Sequence, residues 1–224
     1  MDSAAIGALA SYYPLKILSP EDIRLRNTID WIHENNFIGN GFFHDVNHAG
    51  YGTYLTMHVA QCYLGRRDPI ALDIFDWFLE VATKTWTWPE AINPLTFGGT
   101  IGDGHHGWAV AEMLIFVRNL FFIEEKERLV LTPVMPKSWQ KRGARALITE
   151  APSEFGKIGF EILACTPKHF VLRFEPKYSV PPTDIEWNLP GEIKSAKIDG
   201  KRAGFSGTKI YFPPSASEVE IHLA

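Results

Sequence analysis

The chain has 224 residues, 46% of them hydrophobic, which is material enough for one large domain or two modest ones. Its 22 basic and 26 acidic residues leave a net charge of −4. That excludes the basic footprint of a nucleic-acid binder and the polybasic stretch of a membrane-surface protein.

Residues 1–10 lack the basic start and apolar core of a secretory leader. No apolar run approaches the roughly 20 residues of a membrane span. A cytoplasmic protein with no membrane or nucleic-acid partner is the expectation. Ser19-Pro20-Glu21-Asp22 has the form of a helix start, with a capping hydroxyl, Pro at the first position and acids at the positive end. Leu25, Ile29 and Ile32 then recur at helical spacing. A polar, glycine-containing loop follows at 35–52. It offers His44, Asp45, His48 and Tyr51, followed by Tyr54, all frequent partners of sugar hydroxyls and equally residues of an ordinary polar rim. A nearly all-apolar helix is expected at 53–64. Gly65-Arg66-Arg67 is a short connection of the kind that joins antiparallel helices. Asp68-Pro69 opens a further helix, in which Asp73, Asp76, Glu80 and Lys84 form one polar stripe.

A long loop at 85–104 precedes a final helix at 106–122. The wide apolar face of that helix, with Val110, Met113, Leu114, Ile115 and Phe116, predicts burial on most sides. The spacing predicts that the two long loops lie on one rim of a stack of hairpins. After Lys126 the period changes to two. Strand-like runs fall at 129–131, 146–149, 158–163, 170–174, 185–189, 196–198, 210–212 and 219–223. Asp199-Gly200 between two of them is a hairpin turn. Short strands at such intervals suggest an antiparallel sandwich. The two cysteines, Cys62 in a helical pattern and Cys165 in a strand-like one, read as buried free thiols.

Residues 86–108 hold the chemistry. Three tryptophans, Trp86, Trp88 and Trp108, share this stretch with Glu90, Asp103, His105 and His106. Flat apolar rings beside a carboxylate suit a sugar-cleaving site, in which an inverting enzyme needs one carboxyl as acid and another as base. Glu90 is the candidate base, stiffened by Pro89. Asp103 either caps the following helix or bonds a hydroxyl. His105 and His106 are adjacent and point apart, so they lack the i, i+4 pairing that holds zinc. No metal and no cofactor is expected. Glu112, inside an apolar helix, needs a partner; Arg118 or the loop above it is expected to supply one.

Trp88-Pro89-Glu90-Ala91-Ile92-Asn93-Pro94-Leu95-Thr96, followed by glycines and then Trp108-Ala109-Val110-Ala111-Glu112, resembles the C-terminal part of a six-hairpin glycosidase. Glucoamylases, trehalases and processing α-glucosidases belong to that class. The run Leu129-Val130-Leu131-Thr132-Pro133, with Trp139, also looks like the sandwich appended to such enzymes. Phe97 before Gly98 is a small departure from the motif. The resemblance implies an α+β multidomain chain: a partial α/α toroid of helical hairpins over 1–126, then an antiparallel β-sandwich over 127–224. It implies hydrolysis of a carbohydrate with inversion, Glu90 as general base, and Trp86, Trp88, Trp108, His44, Asp45, Asp103, His105 and His106 around the sugar.

The family's general acid comes from a loop far upstream of the base, whereas 89 residues precede Glu90 here. The expectation is therefore a fragment, inactive alone, completed by missing N-terminal hairpins or a complementary chain, with an open apolar helix edge where they pack. Two other readings stand beside it. One is a glycoside phosphorylase, with Gly98-Gly99-Thr100 and His105 cradling phosphate, although the loop offers no Lys or Arg for the anion apart from the distant Arg118. The other is a non-catalytic carbohydrate-binding or interaction module.

Overall fold

The computed structural model describes residues 2–44, 49–102 and 104–224, which divide into two compact units, Met1–Val117 and Arg118–Ala224. Both units carry sheets. The described residues hold sixteen strands in three sheets and only five α-helices. This overturns the expected toroid of helical hairpins and, with it, the six-hairpin architecture that the resemblance implied.

The first unit runs α1 (Asp2–Ala8), α2 (Ile23–Asn36), β1 (Phe37–Ile38), β2 (Gly41–His44), β3 (Gly50–Gly52), α3 (Thr53–Gly65), α4 (Ile70–Glu80), β4 (Ala91–Ile92), β5 (Gly99–Ile101) and α5 (Gly107–Phe121), the last continuing to the start of the second unit. Helix α2 begins three residues later than Pro20 suggested. Its cap is Asp22, whose carboxylate accepts from the Arg24 N–H at 2.9 Å. Helices α3 and α4 flank the short connection and pack on each other. The toroid reading fails in the loops. Their backbone groups pair with one another, and β1-β2-β3-β4-β5 form one antiparallel sheet. Strands β3 and β4, one from each long loop, pair Tyr51 with Ile92 and Gly52 with Ala91. Thr56 ties this sheet to α3. Its hydroxyl donates to the Gly52 carbonyl at 2.7 Å and accepts the Phe42 N–H at 3.0 Å.

Helix α5 is not buried on most sides. Trp108, Leu114 and Ile115 are exposed along it, while Ala109, Glu112 and Phe116 are buried.

In the second unit, β6 (Phe122–Glu125), β7 (Arg128–Leu131), β12 (Asp184–Asn188) and β15 (Lys209–Phe212) form a four-stranded sheet. A seven-stranded sheet gathers β8 (Arg145–Ser153), β9 (Gly156–Thr166), β10 (His169–Phe174), β11 (Lys177–Tyr178), β13 (Ile193–Ile198), β14 (Lys201–Arg202) and β16 (Glu218–Leu223). Both sheets contribute to one core, with Phe122, Leu129 and Trp187 from the first and Phe160, Phe170 and Ile221 from the second, so the unit is sandwich-like. It departs from a purely antiparallel sandwich because β7 and β12 run parallel. Asp199 and Gly200 both have positive φ, 48° and 77°, which is what a type I′ hairpin between β13 and β14 requires. Cys62 is buried and Cys165 half-buried, both as free thiols; burial holds the Cys62 thiol far above its usual range. No helix among the described residues is long and apolar enough to cross a membrane.

Candidate active site

The stretch Trp88–Glu90 is stitched between the starts of two helices. The first N–H groups of a helix have no acceptor inside it. Here the loop carbonyls supply them: Thr53 N–H donates to the Glu90 carbonyl at 3.2 Å, and His106 N–H donates to the Trp88 carbonyl at 2.8 Å. The Thr53 hydroxyl adds a bond of 2.8 Å to the Pro89 carbonyl. Glu90 is thus fixed by backbone contacts and half-buried. Gly102, at φ +79°, crosses directly over it, and a Cβ there would approach the Glu90 nitrogen to 3.3 Å.

Because both helix starts meet this loop, the second residue of each faces the other. Tyr54 of α3 and Trp108 of α5 stack with ring centroids 4.4 Å apart at 28°. His106 tilts against Tyr54 at 5.2 Å. The Tyr54 hydroxyl is held above its usual pKa, first by burial and then by the Glu90 carboxylate nearby. One turn further along each helix, His58 and Glu112 meet. Glu112 is buried and accepts from Tyr13 at 3.0 Å and Trp108 Nε1 at 3.3 Å, with His58 Nε2 at 3.1 Å. Tyr13 is driven far above the ordinary phenol range, first by burial and then by this carboxylate.

The expected residues therefore part company. Glu90, Trp108 and His106 come together, with Tyr54 between them. His106 Nδ1 is buried with no hydrogen-bond partner among the described residues. Trp88, expected to line the sugar, is instead a core residue. It has no exposed surface, its ring stacks on Phe78 at 4.2 Å, and its N–H donates to the Phe78 carbonyl at 2.8 Å. A ring covered on both sides offers a ligand no face. Trp86 is exposed, at φ +58°, in the turn closed by its N–H on the Thr83 carbonyl. His105 is exposed. His44 is buried at the end of β2, its ring against Phe42. Asp45, His48 and Asp103 lie outside the described residues.

Arg118 does not serve Glu112; it holds Glu124 by both guanidinium nitrogens. Tyr13 and His58 were not among the partners expected for Glu112. The signal was available for His58, which stands four residues after Tyr54, as Glu112 does after Trp108. Nothing in the sequence links Tyr13, 99 residues away from Glu112.

A cleft of about 250 Å³ is lined by Pro89, Phe97, Thr83 and the glycines 98, 99, 102 and 104. Gly99 is forced by closeness: a Cβ there would stand 2.9 Å from the Gly102 carbonyl oxygen and 3.1 Å from Pro89. No charged side chain lines it among the described residues.

No protein-family model and no curated protein sequence matches the chain. Among solved structures the chain is similar to a GH127 β-L-arabinofuranosidase from Geobacillus stearothermophilus T6, with a TM-score of 0.48 and 11% identity. The similarity covers 98% of this chain and 42% of that one, so this chain spans less than half the length of that structure.

Proposed function

We propose that the first unit carries the base-side wall of a glycoside hydrolase site, with Glu90 as the general base that activates water. The observation that supports it is the placement of Glu90: its backbone is clamped by Thr53, and it lies within electrostatic reach of Tyr54, which stacks on the half-exposed Trp108. A carboxylate next to an open aromatic face meets both needs of sugar cleavage, a base for water and a flat apolar surface for a ring. His106 and Trp86 remain in the proposed wall, and Glu112 positions Trp108 from below. A partner chain or further segment covers the exposed Leu114 and Ile115 of α5 and brings the general acid.

The phosphorylase alternative is less well supported. The glycine-lined cleft beside Gly98 and Gly99 contains no Lys or Arg among its described lining residues, and a phosphate needs such a partner. The test is hydrolysis of a panel of aryl glycosides by the protein in its native context, followed by Glu90→Gln. Turnover should fall by at least about 100-fold, the contribution of a general base, while sugar affinity is retained. Undiminished turnover in Glu90→Gln rejects the assignment.

A further inference from the structure

The outward face of the seven-stranded sheet is a ladder of charges, and nearly all of its acids have a permanent cation. Arg145 and Arg173 hold Glu161, and Arg173 also reaches Glu218 at 3.6 Å. Alternation puts Phe170, Leu172, Val219 and Ile221 into the core and His169, Glu220 and His222 outward. At this end of the ladder the pattern changes. His169 and His222 are directly opposed across β10 and β16, their rings stacked at 4.1 Å and 17°. Glu220, two residues before His222, turns Oε1 toward both rings, 3.1 Å from His169 Nε2 and 3.5 Å from His222 Nε2. Its other oxygen is held by Lys197 from β13 at 2.8 Å.

We infer that His169, Glu220 and His222 form a binding site for a divalent transition-metal ion, Zn²⁺ above all. The three ligand atoms lie within 4.8 Å of one another. Ligands bound at about 2.0–2.1 Å to a tetrahedral zinc stand roughly 3.3 Å apart, and the distances of 3.1 and 3.5 Å straddle that value. The stacked rings must each rotate by some tens of degrees about χ2, a broad, soft torsion for histidine, to turn both lone pairs to one point. Two imidazoles and a carboxylate are a borderline-soft set, which selects zinc over calcium or magnesium. Lys197 orients the carboxylate through the oxygen that the metal does not use. Three protein ligands leave a fourth position open to water or a substrate oxygen on a partly exposed face.

The test is competition of the whole chain against a chromophoric zinc indicator, with Zn²⁺ as the only added metal. The site predicts one equivalent bound, weakened by at least about 10-fold in each of His169→Gln, Glu220→Gln and His222→Gln, the least that loss of a ligand should cost. The chain has eight histidines, so an equivalent that survives all three changes belongs elsewhere and overturns the site. Absence of binding overturns it too. A second measurement needs no variant: in a Co²⁺ titration followed by NMR, the ring signals of His169 and His222 should broaden first. Broadening that begins at His105 and His106 rejects the assignment.

Discussion

The two units bury carboxylates in opposite ways. In the second, each is met by permanent cations. Arg118 grips Glu124, and Glu186, with almost no exposed surface, lies 3.0 Å from Lys209 and 3.5 Å from Arg128. In the first, Glu112 is as deeply buried, yet its named partners are a phenol, an indole and an imidazole. Cation-matched carboxylates are what a scaffold uses to keep strands in register. A carboxylate held by neutral or titratable donors fixes those donors in place instead. Here the donors include Trp108, whose outer half is open to a ligand. The contrast teaches where to look for chemistry: buried charge without a permanent cation sits under the proposed site, and buried charge with one sits in the sandwich.

The largest effect that would sharpen this contrast is on turnover, through Glu90→Gln as set out above. Next in size is Trp88→Ala. It empties a fully buried indole site and leaves the Phe78 carbonyl without its donor, so unfolding in urea should show a loss of about 3–5 kcal/mol. A smaller loss would mean that the ring is less embedded than its burial indicates. Glu112→Ala should cost about 2–3 kcal/mol, because it strands three donors in a partly buried space. The fluorescence of Trp108 should change with it. In the second unit, the paired change Arg118→Met with Glu124→Leu should be near neutral, within about 1 kcal/mol, since apolar groups of similar volume replace a buried ion pair at little cost. Equal losses from Glu112→Ala and from that double variant would erase the difference between the units.

The sequence reading succeeded where one periodicity ruled. The eight runs of period two all became strands, and Asp199-Gly200 became the turn between β13 and β14. It failed where backbone pairing was decided by distant chain. Strands β3 and β4 are three and two residues long, too short to show alternation, and they exist because two loops separated by α3 and α4 find each other. Alternating short and long loops between helices predict a toroid of hairpins; in the structure the long loops pair into a sheet. In the candidate site, Glu90 and Trp108 were legible as carboxylate and aromatic within one loop. Trp88 looked identical to Trp108 in composition, and only its contact with Phe78 separates a core ring from an open one. Tyr13 was illegible for the same reason, its partner Glu112 standing 99 residues along the chain.

The smallest expected effect concerns Asp22 at the start of α2. Its carboxylate accepts from the Arg24 backbone and side chain, and the pKa is drawn from 3.8 to about 2, chiefly by the Arg24 side chain and then by the Arg24 N–H. The folded pKa lies below the unfolded one, so this cap stabilises the folded state fully above about 4 and loses its contribution as pH falls through about 2. The group is exposed, which makes the contribution small and sensitive to salt. Asp22→Asn keeps an acceptor for the helix N–H but has no charge to titrate. The variant should therefore match the parent in thermal unfolding near pH 2 and fall slightly below it at neutral pH, with the gap closing in high salt. A gap that stays constant across the acid range would mean that hydrogen-bond geometry alone, and not charge, makes Asp22 the cap.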